Sequence, residues 1–86
     1  MTPQLTLYTR KECCLCEEMK RVVREVGAEV PLETEEIDVD GSLELKERYG
    51  NEIPLLFING RKSFKYRVTV RELKKRLRKE AVASRG

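Results

Sequence analysis

Three cysteines fall within four residues of an 86-residue chain that has no histidine. Cys13 and Cys16 are spaced C-x-x-C, with Cys14 between them. A thiol attacks as its thiolate, and a free cysteine is mostly protonated at neutral pH. A helix N-terminus and a nearby cation both stabilise the charged sulfur. Cys13 meets the first condition if a helix begins at Cys14, and Arg10 and Lys11 supply the second, while Glu12 and Glu17 oppose it. Residues at i and i+3 share a helix face. Cys16 therefore lies one turn along on the inner side, able to form a disulfide with Cys13 without large backbone motion. The chemistry this suggests is thiol–disulfide exchange. Cys13 attacks a disulfide, and Cys16 displaces the product from the mixed disulfide. Metal sites use the same spacing, but structural zinc generally takes four ligands. With no histidine and no fourth cysteine, a single chain closes such a site only with a carboxylate, a water or a second subunit. The absence of histidine also excludes Cys-His proteolytic chemistry.

The elements around these thiols follow from periodicity. Residues 4–9 alternate and read as a strand. Leu15, Met19, Val22, Val23 and Val26 mark one face of a helix from Cys14 to about Ala28, ending near Gly27 with Pro31 beyond. Residues 32–39 read as a strand whose acids suit an edge. Asp40 is the expected N-cap of a short helix carrying Leu43, Leu45 and Tyr49 and ending at Gly50-Asn51. The apolar run at 54–58 reads as a buried strand. Asn59-Gly60 is a hairpin signal, and the return strand at about 61–67 carries Phe64 and Tyr66 on one face as the other edge. Thr69-Val70-Arg71-Glu72 is a capping box opening a helix that buries Val70, Leu73, Leu77 and Ala81. The order is β-α-β-α-β-β-α. The first two strands should be parallel through a right-handed crossover and the last two antiparallel, in a mixed four-stranded α/β sheet with helices on both faces.

Bulk properties bound the function. The length fits one domain spanning residues 1–86, with residues 84–86 expected to be a flexible tail. No apolar run approaches the roughly 20 residues of a membrane span, and the N-terminus lacks a secretory pattern. A cytoplasmic monomer is expected, and clustered cysteines in that compartment point to redox or metal chemistry rather than stapling. The formal charge of +3 conceals an acidic stretch at 33–52 and a basic one at 71–86. Without aromatic interleaving the basic end reads as a solvated face rather than a nucleic-acid site.

The segments LYTRKECCLC and EIPLLFING resemble the thioredoxin fold, specifically the glutaredoxin-like proteins. Within them it resembles a compact subgroup with a Cys-x-Leu-Cys-Glu-Glu start, an Ile/Val-Pro strand and no Gly-Gly motif. The resemblance covers nearly the whole chain. It implies that Pro54 is cis and walls the site, and that the backbone of Ile53 pairs with an extended substrate or with glutathione. It also places Arg10 where a lysine commonly approaches a glutathione carboxylate. Two positions depart from the pattern. Cys14-Leu15 replaces the usual Pro-Tyr, and Tyr66-Arg67-Val68-Thr69 replaces a glycine pair followed by an acid. The implied activity is reduction of protein or small disulfides through the Cys13/Cys16 pair. No bound cofactor is needed. Electrons come from glutathione as co-substrate or from a thioredoxin reductase. Two other readings stay open: an iron–sulfur or zinc carrier using Cys13, Cys14 and Cys16, and a non-catalytic module binding an acidic partner through its last helix.

Overall fold

The alternation Leu5, Leu7, Thr9 buries one face of the first strand, and that strand lies at the heart of a four-stranded sheet. The computed structural model describes residues 2–83 of the chain. Its elements are β1 (Gln4–Thr9), α1 (Cys14–Glu29), β2 (Glu33–Asp38), α2 (Leu43–Tyr49), β3 (Leu55–Ile58), β4 (Arg61–Lys65) and α3 (Val70–Ala83). The sheet order is β2-β1-β3-β4. β1 pairs parallel with β2 and antiparallel with β3, and β3 pairs antiparallel with β4. Acidic β2 and basic β4 are the two edges, as the charges predict.

One sheet face carries the main core. Leu5, Leu7, Leu56 and Ile58 pack there against Met19, Val23 and Val26 of α1 and Leu73 and Leu77 of α3. Strand side chains alternate between faces, so Tyr8, its partner Leu55, and Phe57 point the other way. There Tyr49 of α2 lies 4.7 Å from the Tyr8 ring and 5.7 Å from Phe57, centroid to centroid. Helices thus cover both faces. The side chain of Ala81, expected on the buried stripe of α3, and the expected flexible tail at 84–86 lie outside the described residues.

Local chemistry sets the joints. Asn59 and Gly60 have φ of 50° and 82°, the two positive values that a type I′ hairpin turn requires. The capping box forms reciprocally: Glu72 N–H donates to Thr69 Oγ1 at 3.1 Å, and Thr69 N–H donates to the Glu72 carboxylate at 3.2 Å.

Several local expectations are corrected. Asp40 is not the cap of α2. A 3-10 turn at Val39–Gly41 intervenes, capped by Asp38, whose carboxylate accepts the Asp40 N–H at 2.9 Å. Ser42 then caps α2 through its hydroxyl. No residue of α2 is fully buried, and Leu43 is 81% exposed, because so short a helix lays only its Leu45–Tyr49 side on the sheet. The end of α1 needs no correction: it runs to Glu29, one residue past the expected Ala28, and closes with Val30 N–H on the Val26 carbonyl. β4 stops at Lys65 because Tyr66 turns to φ 70°.

Burial separates two leucines that look alike in sequence. Leu73→Ala should cost about 2–5 kcal/mol, whereas Leu43→Ala should stay within about 0.5 kcal/mol. Urea unfolding of both variants checks this, and a large loss at Leu43 would contradict the packing of α2.

Candidate functional site

Where β1 ends, the chain must turn into α1, and the residues of that turn carry the thiols. Glu12 sits at φ 55°, an uncommon conformation for a residue with a side chain. The extended residue after it, Cys13, is the N-cap of α1. Its Sγ accepts the Cys16 N–H at 3.2 Å, and its carbonyl accepts the Glu17 N–H at 3.1 Å. The cysteine sulfur thus occupies the position usually taken by a capping Ser, Thr or Asp oxygen, facing the unpaired N–H groups of the first turn.

The three sulfurs differ in access. Cys13 is half-buried, Cys14 exposed and Cys16 fully buried, and all three are free thiols. The Cys16 thiol is pushed up to about 12, first by desolvation, then by its hydrogen bond with Cys13; negative charge on Cys13 adds to this. The Arg10 backbone and the Lys20 charge pull more weakly in the other direction. Glu17, whose charge opposes a charged sulfur, accepts a hydrogen bond from Lys20 Nζ at 3.4 Å. Among the described residues, no group of three or more Cys, Asp or Glu side chains is placed to hold a metal ion.

The opposite side of the site comes from the start of β3. The β1–β3 register pairs Tyr8 with Leu55. Buried Pro54 and half-buried Ile53 come immediately before Leu55, at that end of the ladder. The Ile53–Pro54 peptide is cis. Among the described residues, the backbone N–H and carbonyl of Ile53 bond to no other backbone group outside the strands. The fold therefore brings Ile53 and Pro54 to the end of the sheet from which the thiol turn departs. The Arg10 guanidinium is engaged elsewhere. Its Nε donates to Asp40 at 3.2 Å, and its Nη2 would stand 3.4 Å from a Cβ at Gly50, so the side chain leans toward the α2 side.

Two features here escaped sequence reasoning. Asp40, expected to cap a helix, is the partner of Arg10. Tyr66, expected within a strand, closes a γ-turn: Arg67 N–H donates to the Lys65 carbonyl at 2.8 Å around its positive φ. Its N–H donates to the Pro54 carbonyl at 2.7 Å and its hydroxyl to the Asn51 carbonyl at 2.9 Å. A non-glycine residue held in such a region costs about 1–3 kcal/mol. The available signal was the tyrosine itself, standing where the resemblance to ordinary glutaredoxins implies a glycine pair. Beside it, Lys62 clamps both oxygens of Glu52 at 2.8 and 2.9 Å, and this holds the Glu52 carboxyl below its usual range.

Comparison with known proteins agrees with this geometry. A family model described as Glutaredoxin-like domain (DUF836) matches residues 4–78. Protein Ne2328 from Nitrosomonas europaea is 27% identical over 87% of this chain and 91% of its own, with a TM-score of 0.75. Protein XcR50 from X. campestris is 22% identical over 85% of this chain and 93% of its own, with a TM-score of 0.74. Thioredoxin 1 from Thermosipho africanus, at only 12% identity, superimposes with a TM-score of 0.69 over 96% of this chain and 99% of its own. A match over most of its length places this chain in the glutaredoxin-like family, built on the thioredoxin fold.

Proposed function

We propose that the protein is a dithiol thiol–disulfide oxidoreductase, with Cys13 as nucleophile and Cys16 as resolving thiol. The observation that carries this reading is the Cys16 N–H donated to Cys13 Sγ at the head of α1, with the Cys16 sulfur buried behind it. A backbone donor aimed at the sulfur stabilises negative charge there, both when Cys13 attacks and when it leaves. Ile53 and Pro54 form the edge along which substrate lies, and the Ile53 backbone, which among the described residues makes no backbone bond outside the strands, suits an extended segment. Asp40 holds Arg10 through Nε alone, so the remaining guanidinium donors are available for a substrate anion.

The reaction balances in two steps. Cys13 thiolate attacks one sulfur of a substrate disulfide. That S–S bond breaks, and the departing sulfur takes a proton. Cys16 then loses its proton and attacks Cys13 Sγ, expelling the second substrate sulfur, which is protonated in turn. The substrate gains two electrons and two protons, and the chain holds a Cys13–Cys16 disulfide. Glutathione or a thioredoxin reductase returns the electrons in the cytoplasm. The burial of Cys16 keeps its thiol protonated during the first attack. Formation of the mixed disulfide removes the Cys13 charge and thereby favours release of the Cys16 proton, so the order of the steps is built into the pair.

Cys16→Ser should accumulate a stable mixed disulfide on Cys13 when given a disulfide substrate, seen as added mass on that residue. Cys13→Ser should accumulate none and lose turnover. An intact Cys16→Ser protein that traps nothing would sink the mechanism.

The raised Cys16 value also has a sign for stability. The folded reduced chain keeps this proton where the unfolded chain releases it, so the contribution is full below the ordinary value of 9.0 and is lost as pH rises toward about 12. Urea midpoints under reducing conditions should therefore fall between pH 8 and pH 10.5, with a shallower fall in Cys16→Ala. Parallel slopes in the two proteins would contradict the burial of this thiol.

A further inference from the structure

Tyr66 is the residue at the docking edge whose conformation its own sequence least explains. Its N–H is fixed to the Pro54 carbonyl and its hydroxyl to the Asn51 carbonyl, so the phenol runs alongside the segment 51–54, with Ile53 within that span. The ring is not hidden by this. Tyr66 is 42% exposed, one of two large apolar or aromatic side chains so exposed among the described residues. The γ-turn holding it there has φ 70°, a value glycine adopts freely and tyrosine rarely. A backbone outlier held against the Asn51–Pro54 segment points to a use for the side chain it presents. On one side Lys65 places its ammonium 5.7 Å from the ring centre. On the other side Arg67 is exposed.

We infer that Tyr66 is a specificity-determining residue, which favours disulfides carried on an extended polypeptide with an apolar side chain next to the cysteine over the disulfide of glutathione. An exposed ring anchored at its far end offers a rigid apolar contact at little entropic cost. A peptide side chain can lie on it while the peptide backbone pairs with Ile53. Oxidised glutathione is hydrophilic and brings nothing apolar to place there. The inference rests on the oxidoreductase reading for its chemistry, but the recognition it describes can be measured without turnover.

The test compares wild type, Tyr66→Gly and Tyr66→Phe on two probes, oxidised glutathione and a peptide disulfide with leucine beside the cysteine. Tyr66→Gly suits the backbone turn and removes the ring, so misfolding does not confound it. The ratio of kcat/KM for peptide over glutathione disulfide should fall about tenfold in Tyr66→Gly, the scale of one aromatic contact, chiefly through a higher KM for the peptide. Tyr66→Phe keeps the ring but loses its anchor, and should fall between the two. An unchanged ratio in Tyr66→Gly overturns the inference. If wild type reduces neither probe, the oxidoreductase reading fails, and the inference is then judged on binding of the same peptide with serine in place of cysteine. Tyr66→Gly must weaken that binding in an NMR titration, and equal affinity overturns it.

Discussion

A cysteine capping a helix is the constraint on which the candidate site depends. The first turn of any helix leaves N–H groups unpaired, and oxygen side chains normally satisfy one of them. Here sulfur does so, and sulfur is a weaker acceptor than the oxygen of Ser or Asp. The bond fixes the Cys13 sulfur at the head of α1, so the contact that starts the helix also sets where that sulfur lies. Helix geometry then leaves no freedom for Cys16. One turn along the same face, it falls on the side of α1 that faces the sheet.

The sheet supplies the rest of the frame. β1 delivers the thiol turn, and its antiparallel partner β3 begins at the same end of the sheet, so a proline forty-one residues away in sequence becomes a near neighbour of the turn. β1 is held on both sides, by acidic β2 and apolar β3, and covered on both faces by helices. Its end is therefore a rigid platform. The residues projecting from it are less regular, with two positive φ values at Glu12 and Tyr66 flanking the site.

What the sequence made legible were features whose cause is local or periodic. The buried stripe of α1, the Asn59-Gly60 turn and the Thr69–Glu72 box each follow from a few adjacent residues, and all appear in the structure. So does the cis bond before Pro54, which resemblance rather than spacing implied. The misreadings have a common source. Asp38, Asp40 and Ser42 all have capping chemistry, and only the path of the chain between β2 and α2 decides which one caps what. Leu43 is apolar at a helical spacing, yet a two-turn helix has too little length to bury both its sides. Tyr66 continues the alternation of β4, but its partner across the turn is the Pro54 carbonyl, a contact that no local pattern announces. Residue types pointed to the thiol pair, whereas the residues that border it were fixed by tertiary pairing.

The two sheet edges carry opposite charge, Glu33, Glu35 and Glu36 on β2 against Arg61, Lys62 and Lys65 on β4. An open edge is a template for adding a strand from another copy. Two β2 edges repel each other, as do two β4 edges, so a symmetric pair joined at like edges is disfavoured electrostatically. Unlike edges attract, but the ladder between β3 and β4 slips where Leu56 faces Phe64 and Phe57 faces Lys62. The extra residue, Ser63, bends the edge that an incoming strand would have to follow. Charge thus guards against one mode of stacking and backbone shape against the other. The first safeguard weakens as salt screens the charges, while the second does not depend on ionic strength.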